Sequence, residues 1–429
     1  MLLPKRRWII RRRSTDMQPE AILYIIVGIS IANYLLDQFL DYLNLRAQRK
    51  DIPDEVAAFY NRDKYLKSLE YHRELTQFGF ITSACSAALS LLMLLFGGFG
   101  MLDTWLRSFV ANDIILALGF FGILILVIDL ITLPFQWHAT FVIEEKYGFN
   151  KTTIPTFFLD KLKSYLLGGV IGGVLLAALI LLIKEMGPDF WIWFGITASA
   201  FILLVNIFYT SLLLPLFNKL TILPDGELKD AIRQFASKVS FPLSNVYVMD
   251  GSKRSSKANA FFSGIGKRKK IVLFDTLIEK HTTEELVAVL AHEVGHFKKK
   301  HIVTGYLFSV IQVFFMLYVL SLMVFNPNVS LALGGHMLSL HLNMIAFAIL
   351  FSPISTLTGI GMSLISRKNE FEADSFARET FSGTALATAL KKLSVDSLSN
   401  LYPHPLYVFF HYSHPPLLKR LEAIEKTGR

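Results

Sequence analysis

Residues 291–301 read AHEVGHFKKKH. Two imidazoles four apart, with a carboxylate directly after the first, suit one chemistry. On a helix, positions i and i+4 share a face, one turn apart. His292 and His296 so placed can hold one Zn2+, and Glu293 can reach the ion's water as general base for hydrolysis. Two helical histidines with no metal between them are the plainer alternative, and the setting argues against it. The stretch 283–300 predicts a helix, with Thr282 or Thr283 as its cap and Glu284 and Glu285 in its first turn, where the dipole favours acids. Lys298, Lys299 and Lys300 stand at its end, where the dipole favours bases. Leu286, Val289, Leu290, Val294 and Phe297 supply an apolar face.

Catalytic zinc takes three protein ligands and leaves a position open for water. The chain has one cysteine, Cys85, so there is no intrachain disulfide and no C-x-x-C pair, and the third ligand must be a histidine or a carboxylate. Cys85 itself reads as a small buried hydrophobe. The segment SRKNEFEADSFA, 366–377, offers Glu370, Glu372 and Asp374. Glu370 and Asp374 share a helix face, and Glu372 points the other way. One face therefore offers a ligand and a carboxylate to orient a ligand imidazole; we take Glu370 as the ligand and Asp374 as the orienting group, a solvated acidic face being the plainer alternative.

The elements that must position these groups lie in a membrane. Of the 429 residues, 53% are hydrophobic, and the mean hydropathy is +0.46. A span needs about 20 mostly apolar residues. Runs near 21–43, 77–101, 114–134, 166–184, 190–215, 302–326 and 338–365 qualify. Asp129, Asn206 and Asn343 fall inside them and are expected to face an interior, a watery cavity or a neighbouring helix. The net charge is +9, but the basic residues are scattered among apolar spans, which argues against a nucleic-acid partner. Loops 44–76, 135–165, 218–301 and the tail after 365 carry seven, four, fifteen and nine Lys/Arg, whereas 102–113 carries Arg107 alone and 185–189 and 327–337 carry none. The basic loops therefore share the cytoplasmic side, the HEVGH segment with them, and seven spans place the N-terminus outside. The opening KRRWIIRRR runs against that orientation, and Met17 is an alternative start. The expected organisation is a basic extension (1–20), five spans (21–217), a cytoplasmic zinc-peptidase domain (218–301), two more spans (302–365) and a cytoplasmic tail (366–429) completing the site. Within that domain, NVYVMD (245–250) and KIVLFD (270–275) are expected to form a sheet whose exposed edge receives an extended peptide.

VLAHEVGHFKKKHIV together with SRKNEFEADSFA closely resembles the Ste24-type CAAX prenyl proteases, in the integral-membrane zinc metallopeptidase family that includes HtpX. FVIEEKYGFNK (141–151), PLFNKLTILPDGELK (215–229), DGSKRSSKANAFFSG (250–264), KIVLFDTLIE (270–279) and HYSHPPLLKRLEAI (411–424) carry the resemblance along nearly the whole chain. It implies a ring of seven helices around a water-filled chamber, closed by a small α+β zinc domain. It implies His292, His296 and Glu370 as ligands of one Zn2+ and Glu293 as base. It also implies that Asn259 holds substrate backbone, that His414 stabilises the tetrahedral intermediate, and that Arg420 pairs with the glutamate ligand. The short loop 327–337, the modest length and the basic extension point to a prokaryotic member, which places the chain in a bacterial inner membrane; a eukaryotic member would sit in the endoplasmic reticulum.

The expected function is a membrane zinc endopeptidase cutting near the C-terminus of lipidated (CAAX-type) or membrane-associated peptides, with membrane lipid around it. A quality-control protease of misfolded membrane proteins is the alternative within enzymes. A transporter with a structural metal is the alternative outside them. HExxH speaks against the transporter, since a structural zinc is closed by four ligands and needs no adjacent base.

Overall fold

The computed structural model describes residues 17–263 and 269–426; the expected basic extension lies outside them up to residue 16. Among the described residues, six continuous helical stretches are long and apolar enough to cross a membrane. They begin with α1 (Pro19–Arg46) and α2 (Arg62–Leu95), which a short α3 (Gly98–Arg107) links to α4 (Asp113–His138). The fourth stretch, Ile154–Phe217, breaks at Gly187–Asp189 into α5 (Ile154–Met186) and α6 (Phe190–Phe208), which pack against each other. The seven expected runs thus fall on seven rods, the last two being α8 and α10 below. Helix ends differ from the expected ones. The run 77–101 ends at Leu95, where Gly97 turns the chain with φ 67°, and the run 166–184 starts a dozen residues earlier, at Ile154.

Between α6 and the next span lies the soluble mass. It comprises β1 (Leu220–Ile222), a helix Glu227–Lys238, β2 (Leu243–Met249), β3 (Ala260–Ser263), β4 (Lys269–Phe274) and α7 (Thr283–Lys298). Then come α8 (His301–Met323), α9 (Pro327–Ala332), α10 (Leu340–Ala377), α11 (Gly383–Asp396) and α12 (Leu417–Lys426). Neighbouring spans follow one another around the chamber: α4 packs on α5, α5 on α6, α6 on α8, α8 on α10, α10 on α1 and α1 on α2, and α2 meets the 139–144 stretch that continues α4. The spans bury little of themselves, so Cys85 is exposed on α2 rather than buried as its apolar neighbours suggested. Polar groups in the spans find partners. Asp129 takes Lys161 at 2.8 Å and bonds to Tyr165 and Gln136, and Asn343 accepts from Ser330 while capping the last carbonyls of α8.

The sheet order is β1-β2-β4-β3. The two strands read from the sequence, β2 and β4, are parallel neighbours. The turn-rich stretch between them contributes a further strand, β3, antiparallel to β4 and at the sheet edge. Beneath the sheet, Ile232, Val246, Ile271, Leu286 and Leu290 form one core.

Candidate metal centre

α7 starts as its sequence dictates. The Thr282 side chain accepts from Glu285 N, and the Glu285 side chain accepts from Thr282 N, a reciprocal capping box. Leu286, Leu290 and Val294 pin one face to the domain core, and His292, Glu293 and His296 line a cavity. α10 supplies the acids. At 1.5 Å per residue, Glu370 stands roughly 45 Å along the helix from Leu340, well past an apolar core of about 30 Å. The same unbroken rod that spans the membrane therefore delivers Glu370 and Asp374 to α7. Gly295 allows the two helices to touch: a Cβ there would lie 3.0 Å from the Ala373 Cα and 3.1 Å from its carbonyl oxygen.

The crossing brings together donor atoms of His292, His296 and Glu370, all within 4.8 Å of one another. His292 Nε2 and His296 Nε2 are 3.2 Å apart, and the Glu370 oxygens lie 3.5 Å and 3.3 Å from them. Donors 2.0–2.1 Å from a tetrahedral ion stand roughly 3.3 Å from one another, so the triangle has the size zinc requires. The protons agree. His292 Nδ1 lies 2.8 Å from Asp374 Oδ1, so it carries the ring proton and leaves a lone pair on Nε2, directed at the centre. Glu370 is buried, and its Oε2 accepts no hydrogen bond although Arg420 Nη1 lies 3.4 Å away. A buried anionic oxygen without a bond, beside two imidazole nitrogens, is a seat for a cation.

Electrostatics follow from burial and these partners. Burial pushes the Glu293 carboxyl above the ordinary carboxylate range, although His292 and His296 pull it down. Burial would also raise Asp374, but hydrogen bonds from His292 and Arg420 outweigh it and hold Asp374 low. Burial would raise Glu370 too, but hydrogen bonds from His292 and His296 and the Arg420 charge outweigh it and hold its carboxyl low.

The remaining expected residues fall around the same centre. A cavity of about 290 Å³ is lined by Asn259, Ala260, His292, Glu293, His296, Glu370, His414 and Arg420. His414 Nε2 is 3.3 Å from Glu370 Oε1, on an exposed side chain. Arg420 reaches both carboxylates. Its fork closes on Asp374, with Nη2 at 2.6 Å and Nε at 2.8 Å, and Glu370 receives only the longer approach. A planar guanidinium matches one carboxylate edge, and Asp374 presents that edge. Asn259 precedes β3, its carbonyl accepts from Phe274 N, and its side-chain oxygen accepts from Ala260 N. The loop before it is tied to the membrane helices: Arg254 grips Asp160 at 2.7 and 2.9 Å, and Lys257 reaches Glu144 at 3.1 Å. These ties give FVIEEKYGFNK and GSKRSSK a joint purpose that spacing alone concealed.

Sequence reasoning missed His301 and set Glu372 aside, and the two are neighbours of the centre. His301 Nδ1 lies 3.0 Å from His296 Nδ1, and His301 Nε2 lies 3.1 Å from Glu372 Oε2. The signal was the last letter of HEVGHFKKKH.

A ring of membrane helices carrying a buried His-His-Glu triangle defines an integral-membrane metallopeptidase. Residues 41–219 match the family described as CAAX prenyl protease N-terminal, five membrane helices, and residues 223–428 match Peptidase family M48. The chain is 34% identical over 411 residues to a CAAX prenyl protease 1 homolog of Arabidopsis thaliana, covering 93% of this chain and 96% of that one. It is 32% identical over 432 residues to the CAAX prenyl protease 1 of Saccharomyces cerevisiae, covering 94% of each. The crystal structure of S. mikatae Ste24p superposes with a TM-score of 0.90 at 31% identity, over 94% of this chain and 99% of that one. The chain belongs to the Ste24/CAAX prenyl protease 1 family of M48 metallopeptidases.

Proposed function

We propose that this protein is a zinc endopeptidase of the HExxH type that cleaves near the C-terminus of CAAX-type or other membrane-associated peptides. The observation that carries the reading is the triangle of His292 Nε2, His296 Nε2 and Glu370, of zinc-ligand size, with Glu293 at its rim. The relatives' names supply the substrate class.

When bound, a single Zn2+ held by these three groups supplies a Lewis acid that lowers the pKa of a water to about 7 and polarises the scissile carbonyl. Glu293, its affinity for a proton raised by burial, takes the proton of the attacking water and later passes it to the leaving amine. His414 lines the cavity beside Glu370, where it can donate to the oxygen on which charge builds. The edge of β3 and Asn259 hold the extended peptide backbone. Asp374, gripped by Arg420, fixes the ring of His292. The basic loops put this face toward the cytoplasm and the anionic leaflet, with the substrate's lipid anchor close by.

The test is Glu293→Gln in the purified full-length chain with a farnesylated CAAX reporter peptide. Turnover should fall by about 10³-fold or more while zinc content stays at one ion. Wild-type turnover in that variant would refute the mechanism.

A further inference from the structure

The two imidazoles of the centre are backed differently on their outer nitrogens. His292 Nδ1 meets a carboxylate directly. His296 Nδ1 meets the Nδ1 of a third imidazole, His301, whose Nε2 meets Glu372. Counting protons orders this chain. For His296 Nε2 to present a lone pair to the centre, the neutral ring must carry its proton on Nδ1. That N–H donates to His301 Nδ1, which must then be bare. His301 therefore carries its own proton on Nε2 and donates it to Glu372 Oε2.

The backbone is bent to achieve the contact. α7 ends at Lys298, and Lys300 adopts φ 61°, ψ 26°, a left-handed conformation that a side chain of its kind rarely takes. The turn starts α8 at His301 and brings the ring under His296, with centroids 5.1 Å apart and planes at 71°. His301 is buried, 9% exposed, so its nitrogens depend on these two partners.

We propose that His301 and Glu372 are positioning residues that fix the tautomer and the direction of His296. Each histidine ligand then has a carboxylate behind it, one directly and one through an intervening imidazole. The proposal rests on the reading of His296 as a metal ligand.

The experiment measures zinc affinity of the full-length protein by competition with a chelator, zinc being the only ligand added, alongside the thermal midpoint of the zinc-free form. His301→Leu removes the acceptor and should weaken zinc roughly 10–100-fold. His301→Asn places an amide oxygen close to where Nδ1 stood and should restore affinity to within about threefold of wild type. Glu372→Leu, at a side chain 38% exposed, should fold normally and weaken zinc by about threefold to tenfold. Wild-type affinity in His301→Leu, or an Asn variant as weak as the Leu variant, overturns the proposal, the second result marking His301 as packing only. If His301→Leu does not fold, unchanged affinity in Glu372→Leu overturns it instead. His296→Ala separates the two readings. If it binds zinc normally, the ligand assignment is at fault; if it loses zinc while His301→Leu keeps it, the relay alone falls.

Discussion

Two buried clusters in this chain are built from the same kinds of side chain and have opposite character. One is the metal centre, where Asp374 and Arg420 stand behind the ligand His292. The other joins α3 to the start of α10: His341 Nε2 lies 2.7 Å from Asp103 Oδ1, Arg107 Nε approaches both Asp103 oxygens at 3.0 Å, and Ser339 accepts from Arg107. His341 and Glu370 ride the same helix, roughly 44 Å apart. Both clusters lie where glycine lets backbones touch, Gly295 against Ala373 in one and Gly100 against Gly334 in the other. They differ in what is left over. In the distal cluster every Asp103 oxygen has a donor, and the result is a rivet. In the metal centre the same kinds of bond consume only the outer atoms, and two nitrogens and a carboxylate oxygen remain aimed at one point. Composition makes a buried polar network; unspent lone pairs make a site.

The comparison breaks most visibly with Glu370→Ala. Zinc affinity, read by chelator competition, should fall well beyond the roughly 100-fold that losing an outer partner costs, whereas His341→Ala should leave it unchanged. The converse is Asp103→Ala, which strands His341 and Arg107. It should lower stability by about 3 kcal/mol, seen as a drop in thermal midpoint, yet leave turnover per folded molecule intact. If Asp103→Ala also cut turnover in the folded fraction, the two clusters would be coupled. A milder probe is Gly295→Ala, whose methyl presses on Ala373 and shifts Glu370 by a few tenths of an ångström. Zinc affinity should weaken by about tenfold, and an unaltered value would mean that the helix crossing does not set the triangle. The smallest effect is on pH. Burial would raise Asp103, but His341 and Arg107 outweigh it and hold its carboxyl below the ordinary range. A depressed carboxylate contributes stability at neutral pH that disappears as pH falls through its folded pKa. The difference in midpoint between wild type and Asp103→Asn should be flat from pH 7 to about 5 and shrink below about 4.

Much of the metal centre was legible because helical spacing is local. HExxH fixes the relation of His292, Glu293 and His296 within five residues, and the acid pair at 370 and 374 has the same i, i+4 geometry. The spans were legible because length and apolarity alone define them. Other features hid in long-range contacts. β3 consists of four residues after a turn-rich stretch, and what makes it a strand is pairing to β4 rather than its own pattern. The choice of Arg420 between two carboxylates depends on which edge it meets in space. His301 was hidden by its lysine neighbours, because a left-handed residue at Lys300 reverses the chain, and no periodicity announces a backbone of that kind.

Three side chains from two crossing helices are expected to share one ion. X-ray absorption at the zinc edge on the full-length protein tests it most directly, with His296→Ala and Glu370→Ala measured in parallel. One zinc per chain, with two nitrogen neighbours near 2.0–2.1 Å and at least one oxygen at similar distance, is the expected result, losing a nitrogen or an oxygen in the respective variants. A wild-type ion whose first neighbours were unchanged by either substitution would contradict it.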